Sequence, residues 1–563
     1  MNEIELSARP AARLVALLGS AFFAVSTTAQ DIGRSEHGYS GESPQHEAVP
    51  SPAELESSGA VVGRVHVRTG NVFDTSIDGE DGWVYRTANR LHIRTRPSVI
   101  RQQLLFKPGD SYDHRLLAES ERILRSNPYL YDARIVPVAF DGKSVDIEVR
   151  TQDVWTLSPG FNFGRKGGAN KFGLQIEEKN LLGFGKEVRV EWRDNVDRSS
   201  LIFGYKDAHF FRRFLRLNAT YADSSDGQTK ALRLERPFYA LDTRRSAGME
   251  LFDSLRNDAR YALGNNVGEF EHRDEYYELR GGLSRGLKDL RVNRWTAGFT
   301  YERDRFEELP DMPLAGPLPE DRLLIYPWIG FETIEDRFEE RRNQDQIRRT
   351  EDLLLGLRAA GRVGLALESL GSDRDAVILR GYLQHGADVS PGHSVFADVA
   401  ASGRLEDDGL RNGILSAGGR YYWQTSGRSK FYLSLRGTIT EELDEEVQLL
   451  LGGDNGLRGY PLRYQAGTSR ALLTLEQRYY TRWYPFRLFH VGAAAFFDMG
   501  RTWGRDVTGL ESAGLLKDVG VGLRLGSSRS SFGNVIHIDL AFPLDGDDSI
   551  DAVQILVETK GSF

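Results

Sequence analysis

The chain offers few residues whose types and spacing could catalyse a reaction. It contains no cysteine, and its 11 histidines are scattered without the spacing that metal ligands adopt. The zinc signature His-Glu-x-x-His and the phosphate-binding P-loop do not occur in it. We therefore predict that the chain is not an enzyme, with no catalytic residue, metal or cofactor. A hydrolase whose Ser/His/Asp set lies on a barrel wall stays open as an alternative.

Arg458 lies in a segment suited to binding rather than to catalysis. It follows several glycines and is flanked by Leu457, Gly459 and Tyr460. An arginine at the tip of such a loop can donate two charge-assisted hydrogen bonds to one carboxylate and so hold the loop in place. Glu476 belongs to an alternating stretch further on, in which the leucines face one side and the carboxylate faces the other.

Composition excludes several classes of protein. The 563 residues allow two or three domains, and the mean hydropathy is −0.42. No run of about 18 apolar residues follows the amino terminus, which excludes a helical membrane protein. The formal net charge of −9 argues against a nucleic-acid partner, because binding phosphates requires a basic surface.

The amino terminus has the pattern of a secretory signal. Arg9 and Arg13 precede an apolar stretch, and small residues follow at the spacing of a cleavage site, which predicts a signal peptide over 1–29. A single membrane anchor is the alternative, but the apolar stretch is short for a bilayer. Residues 30–58 carry almost no aliphatic side chains and are predicted to be a disordered linker.

Residues 60–155 are predicted to form a small periplasmic α/β domain. An alternating stretch at its start indicates a strand, two amphipathic stretches indicate helices, and two further strands meet at a turn, giving the order β-α-α-β-β. Residues 74–90 interrupt this order as an insertion. We interpret its Trp83 and Tyr85 as local packing residues rather than as a binding site.

From residue 157 to residue 563 the sequence alternates between apolar and polar residues. Trp295 and the next three odd-numbered residues are apolar or aromatic, whereas the even-numbered residues from 296 to 302 are threonines, a glycine and a glutamate. A soluble sandwich and a membrane barrel share this period. Aromatic residues near strand ends, a charged opposite face and connections of alternating length favour an all-β transmembrane barrel. At roughly 25 residues for each strand with its connection, the segment provides about 16 antiparallel strands.

The alternation runs to Phe563. A barrel leaves no spare tail, because its last strand must pair with its first. The terminal aromatic is the usual recognition mark for outer-membrane assembly machinery, so Phe563 is predicted to be an assembly signal. The last strand is expected to pair with the first strand near residues 157–163.

The segment from Leu449 to Tyr480 resembles the signature of the bacterial surface antigen superfamily, which contains the BamA/TamA-type outer-membrane insertases and the two-partner-secretion transporters. Its core, Leu457-Arg458-Gly459-Tyr460, matches the (V/I/L)-R-G-(F/Y) motif of a loop folded into the barrel. Residues 495–500 resemble the F-x-D-x-G strand motif of the same superfamily, through Phe496, Phe497, Asp498 and Gly500.

The resemblance implies a pairing and a domain. Arg458 would meet Asp498 on the inner wall, with Glu476 as a second inward carboxylate, and residues 60–155 would be a single POTRA domain. The central insertase usually has several such domains and the secretion transporters have two, so the number here departs from both patterns.

The function expected from the resemblance is that of a polypeptide translocase or insertase in the outer membrane of a Gram-negative bacterium. The periplasmic domain would capture a client polypeptide, either a secreted or an outer-membrane protein, and the barrel would insert or export it. The lipid bilayer and the machinery that assembles barrels would be its other partners. A passive outer-membrane channel or structural barrel is the alternative.

Overall fold

The computed structural model describes residues 49–563 except for 213, 311, 510–511, 532–534, 547–548 and 561–563. The predicted signal peptide, most of the predicted linker and the predicted assembly signal Phe563 lie outside the described residues. The described chain forms a small α/β domain followed by a closed barrel.

The amino-terminal domain packs helices against a three-stranded sheet. Its elements are α1 (Pro52–Ser57), β1 (Val61–Gly70), α2 (Trp83–Leu91), α3 (Pro97–Arg101), α4 (His114–Arg125), β2 (Leu130–Phe140) and β3 (Ser144–Asp153). The sheet order is β1-β3-β2, with β1 parallel and β2 antiparallel to β3. The Asp113 side chain accepts from the Leu116 amide and starts α4. No helix in the described part of the chain is long and apolar enough to cross a bilayer.

Helix α1 contradicts part of the prediction that residues 30–58 are a disordered linker, because residues 52–57 form a helix that packs in the domain. The Ser51 hydroxyl accepts from the Glu54 amide while the Glu54 carboxylate accepts from the Ser51 amide, which forms a capping box. Leu55 is fully buried in the core of the domain. One capped turn and one buried leucine are enough to dock the segment, although its composition is that of a linker.

The barrel confirms the predicted closed antiparallel architecture. Its strands are β4 (Leu157–Lys166), β5 (Ala169–Glu178), β6 (Lys186–Asp194), β7 (Ser199–Asp207), β8 (Arg216–Ser224), β9 (Gly227–Arg236), β10 (Arg245–Ala262), β11 (Asn265–Lys288), β12 (Arg291–Glu308), β13 (Arg322–Glu335), β16 (Leu357–Ala366), β17 (Ala376–Ser390), β18 (His393–Glu406), β19 (Gly409–Ser426), β20 (Ser429–Glu441), β23 (Ser469–Tyr480), β24 (Phe489–Trp503), β25 (Leu516–Ser527), β26 (Val535–Pro543) and β27 (Gln554–Lys560). Two hairpins lie outside the wall: β14 (Phe338–Arg342) with β15 (Thr350–Leu354), and β21 (Leu449–Leu451) with β22 (Gln465–Gly467).

The strand count differs from the prediction. Among the residues that the structure describes, the wall has 20 strands rather than about 16. The prediction was wrong because it assumed about 25 residues for every strand and its connection. Strands β4 to β9 have only nine or ten residues each, and Lys166 is joined to Ala169 by a two-residue turn.

The two faces of the wall are opposite in character to those of a soluble protein. Outward side chains such as Leu283, Trp295 and Ile329 are exposed and apolar. Inward side chains form ion pairs, as in Glu278 with Arg280 and Arg362 at 2.8 and 2.9 Å. An apolar exterior around a charged interior is the arrangement that a lipid environment requires.

The first and last strands close the barrel at a seam. In the described residues one register pair joins them, Val557 with Arg165, and the Lys166 ammonium lies 2.6 Å from the Glu558 carboxylate. The last strand therefore pairs with the first, as the sequence predicts, and the described pair lies two residues beyond 157–163.

The amino-terminal domain lies at one end of the barrel. It contacts the turns at 240–242, 485–487 and 528–531, and we call that end the near side. Loops 309–321, 442–468 and 504–515 emerge at the opposite end, the far side.

Candidate functional site

Residues 442–468 form a loop that crosses the far-side mouth of the barrel and enters its interior; we call it the lumen loop. Its base is the β21–β22 hairpin. Asp444 accepts two hydrogen bonds from Arg404 at 2.7 and 2.8 Å, and Glu446 accepts one from Arg322 at 2.8 Å. The loop is therefore fastened to strands β18 and β13 on one side of the mouth, while its tip reaches the other side.

Arg458 at the tip is buried against the inner wall. Its Nε and Nη2 donate to the two carboxylate oxygens of Asp498 at 2.6 and 3.0 Å. Its Nη1 donates to Glu476 at 2.8 Å and lies 3.5 Å from Asp539. The guanidinium also lies 3.5 Å above the centre of the Phe496 ring. The structure thus brings Arg458 together with both carboxylates named from the sequence, in the planar two-bond geometry that arginine favours.

Strand parity explains why these wall residues share one face. Phe496, Asp498 and Gly500 alternate along β24 and point inward, whereas Phe497 points outward between them. A side chain at Gly500 would begin 3.3 Å from Leu457, so the glycine makes room for the loop tip. Three members of the predicted strand motif therefore face the loop, and Phe497 belongs to the outer surface.

Gly459 and Tyr460 also hold the tip of the lumen loop against the inner wall. A Cβ at Gly459 would lie 2.6 Å from Cβ of Asp518 and 3.1 Å from the Pro543 backbone nitrogen, so no larger residue fits without movement. The Tyr460 hydroxyl lies 2.7 Å from the Lys517 carbonyl oxygen and 3.1 Å from that of Asp545. Tyr460 therefore ties the tip to the far ends of β25 and β26.

Three further residues of the network were missed from the sequence. Arg478 donates to Glu476 at 2.9 Å, and Arg524 donates to Asp539. Asp539 in turn lies beside Arg458. The alternation of residues along β25 and β26 predicts that Arg524 and Asp539 face the barrel interior. It does not show which loop contacts them there.

A second segment fills the barrel from the near side. The tip of the β14–β15 hairpin, residues 343–349, packs among inward side chains of the wall, and we call residues 338–354 the near-side hairpin. Asp345 accepts from the Tyr422 hydroxyl at 2.8 Å, and the Gln344 side chain accepts from Lys430 at 2.9 Å. Ile347 is buried with Tyr480 and two wall residues.

Arg478 links the two segments. Its Nη1 donates to the backbone carbonyl of Gln344 at 3.1 Å, while its Nε binds the carboxylate of Glu476 that also receives Arg458. The lumen loop, the wall and the near-side hairpin therefore share one buried network of hydrogen bonds. Removing one member of such a network strongly destabilises the protein, because it leaves a buried charge without a partner.

The base of the near-side hairpin is bound to the amino-terminal domain. Arg125 of α4 donates to both carboxylate oxygens of Asp352, and Arg134 of β2 donates to Glu340 at 2.9 Å. Arg349 donates to the Leu130 carbonyl at 3.0 Å. Movement of the domain therefore has a direct mechanical path to the hairpin tip inside the barrel.

One cluster has the residue types of a metal site. Ligand atoms of His537, Asp539 and Glu558 lie within 4.8 Å of one another. The two carboxylates already have cationic partners, because Glu558 lies 2.6 Å from both Lys166 and Lys560, and Asp539 binds Arg524. These cations oppose a metal ion, and the cluster fits a charge network across β26 and β27 better.

Comparison with known proteins found one similar curated sequence. Over 125 residues, or 21% of this chain, the sequence is 30% identical to a protein of Treponema pallidum (strain Nichols) described as "Putative outer membrane protein assembly factor". The predicted resemblance to the surface antigen superfamily is supported. The match spans only 15% of that protein. No protein-family model matches the chain.

Solved structures give weaker similarities. BamA from Haemophilus ducreyi lacking POTRA domains 1-3 is 13% identical, with 88% of this chain and 84% of that chain covered and a TM-score of 0.37. CdiB from Acinetobacter baumannii is 12% identical, with 89% and 73% covered and a TM-score of 0.44.

Proposed function

We propose that the chain is an outer-membrane barrel that inserts or exports client polypeptides, with the amino-terminal domain in the periplasm. The observation that carries the proposal is the buried attachment of Arg458 to Glu476 and Asp498. A loop held by one polar network, rather than by covalent bonds or a large apolar core, can be displaced as a unit. The described relative is an outer membrane assembly factor by name, which agrees with this proposal.

The filled interior favours a gated transporter over a passive channel. The lumen loop enters from the far side and the near-side hairpin enters from the other, and both meet at Glu476 and Arg478. A passive pore gains nothing from two converging plugs. We propose that a client displaces one or both of them.

Capture of the client is assigned to the amino-terminal domain. Strand β1 lies at the edge of its sheet: β3 pairs with it on one side, and on the other side residues 109–112 bond its first two residues and Ala60. An extended polypeptide can add to such an edge as a further strand. Because α4 and β2 of the same domain bind the near-side hairpin through Arg125 and Arg134, strand addition could be transmitted to the hairpin.

The experiment compares the proteins of the outer membrane and of the culture medium in three strains. One carries the wild-type chain, one carries a chain without residues 457–460, and one carries no chain. Quantitative mass spectrometry should show that the same client proteins disappear in the second and third strains. Heat-modifiable migration of the shortened protein verifies that its barrel has folded.

A passive channel gives a different pattern in the same strains. The shortened chain would then support the same surface and secreted proteins as wild type, and it would conduct more ions in planar bilayers. That result would refute the proposed transport of polypeptides.

A further inference from the structure

Helix α2 lies in the insertion of the amino-terminal domain and has no buried residue. The Trp83 side chain is 73% exposed and Leu91 is 68% exposed, and Val84 and Ile93 are also exposed. The interpretation of Trp83 as a local packing residue is therefore wrong, although Tyr85 does pack, with its ring 4.8 Å from that of Phe73. Aromatic and aliphatic side chains on the outside of a short helix need a partner.

The helix has two distinct faces. At about 100° per residue, Trp83, Val84, Thr87 and Leu91 share one side, whereas Tyr85 and Asn89 share the opposite side. The second side is the one that contacts the protein, because the Asn89 amide donates to the Phe73 carbonyl at 2.8 Å. The apolar side is thereby held outward.

Contacts with the barrel place the insertion at its near-side rim. The Tyr85 hydroxyl donates to the Phe486 carbonyl at 3.3 Å, and Arg487 donates to the Asp78 carbonyl at 3.2 Å. Next to the helix, Arg96 donates to the Leu182 carbonyl at 3.1 Å. The insertion therefore lies against the turn that follows β23, and the segment just after it lies against the turn that follows β5.

Those turns carry exposed apolar side chains of their own. They are Leu182, Phe184, Trp483 and Phe486. On the wall above the first turn, Leu174 and Ile176 of β5 are exposed outward. The insertion that carries α2 is thus bound to a rim whose own apolar side chains are exposed, next to the lipid-facing wall.

Charge agrees with a lipid headgroup region beside this face. Arg86 and Arg90 lie along one flank of the helix, and Arg94 follows its end, all of them exposed. An amphipathic helix with arginines on its flank and tryptophan and leucine on its apolar side is suited to lie in the plane of a membrane interface that contains anionic lipids.

We propose that α2 is an interfacial membrane helix that inserts Trp83, Val84 and Leu91 into the periplasmic leaflet beside the barrel. The occupant of the apolar face is the lipid bilayer, and Arg86, Arg90 and Arg94 bind its phosphates. The helix thereby attaches the amino-terminal domain to the membrane near the turns that flank the seam, independently of the transport function proposed above.

The absence of cysteine from the sequence makes a direct test simple. Full-length variants Leu91→Cys, Arg86→Cys and Lys107→Cys are labelled with an environment-sensitive fluorophore and reconstituted into vesicles of phosphatidylethanolamine and phosphatidylglycerol. Lys107 is an exposed turn residue elsewhere in the domain and serves as the aqueous control. Quenching is measured with nitroxide-bearing lipids and, separately, with aqueous iodide.

The probe at Leu91 should be quenched several-fold more by the lipid nitroxide than the probe at Lys107, and should be protected from iodide, with Arg86 intermediate. In a Thr87→Cys probe variant, adding Trp83→Asp and Leu91→Asp should abolish lipid quenching while heat-modifiable migration stays unchanged. A Leu91 probe that iodide quenches as strongly as the Lys107 probe would overturn the proposal. So would a probe shielded from both quenchers, since protein would then cover the face.

Discussion

Arg458→Ala tests the attachment of the lumen loop most directly. The substitution removes three donated hydrogen bonds and the cation that binds Asp498, and it leaves Glu476 buried with Arg478 and Arg524. Breaking a buried ion pair by removing one partner costs about 3–5 kcal/mol. Since about 1.4 kcal/mol is a factor of ten, the ratio of docked to undocked loop should fall by about two to three and a half orders of magnitude.

The undocked population can be measured as the rate at which a buried thiol becomes reactive. Leu451 lies in the base of the lumen loop and is buried against Leu457 and Tyr460 while the loop is docked, so a Leu451→Cys variant should react slowly with an impermeant maleimide. Adding Arg458→Ala should accelerate labelling by at least about a hundredfold. Arg458→Lys should fall between, because it keeps the charge but not the planar two-bond contact.

Arg411→Ala is the matched control. Arg411 also pairs with carboxylates, those of Asp408 and of Glu442 at the start of the lumen loop, but all three side chains are exposed. A surface pair contributes about 0–1 kcal/mol, so the labelling rate should stay at that of Leu451→Cys alone. Equal rates in the Arg458→Ala and Arg411→Ala backgrounds would refute the role assigned to the buried attachment.

Three further predictions concern the tip, the hairpin and the domain. Gly459→Ala should undock the lumen loop in the same thiol assay, at a cost of about 1–3 kcal/mol, because its Cβ would meet the wall at 2.6 Å. A disulfide between Ile347→Cys and Gly526→Cys, whose Cβ positions lie 2.9 Å apart against about 3.8 Å in a disulfide, should block client transfer until a reductant is added; transfer by the oxidised protein would contradict displacement of the near-side hairpin. Burial raises the pKa of Asp153 to about 7 and lowers that of His92 to about 4, so ionising Asp153 costs stability as pH rises from 4 to 7, whereas protonating His92 costs stability as pH falls from 6.5 to 4. Asp153→Asn should leave only the loss of stability caused by protonating His92. Urea titrations of the full chain should then show a new loss of domain stability below about pH 6. An unchanged pH profile would show that Asp153 and His92 do not control the pH dependence of stability.

The face of each barrel strand could be predicted from local pattern alone. Glu476 was placed opposite the leucines of the same strand, and the structure has its side chain inside the barrel. Period-two alternation is a property of neighbouring residues, so it survives without knowledge of the fold. The pairing of Arg458 with Asp498 came instead from a family motif, because 40 residues separate them.

Helices α1 and α2 show where local pattern misleads. The segment around Leu55 has the composition of a linker, yet a capping box and one buried side chain dock it. Trp83 was taken as a packing residue because aromatic side chains usually pack, and only the position of α2 on the barrel rim shows which of its faces is left outside.

The sequence by itself determined that the chain alternates into a barrel with a polar interior and that a loop arginine needs a carboxylate there. Those are consequences of side-chain type and of the two-residue period. Only the tertiary structure decided that the wall, in the part of the chain described, has 20 strands, that a hairpin enters from the near side, and that Arg478 joins it to the lumen loop. The physical reason is that closure and contact inside a barrel depend on strand register and loop direction, which residues far apart in the chain set together.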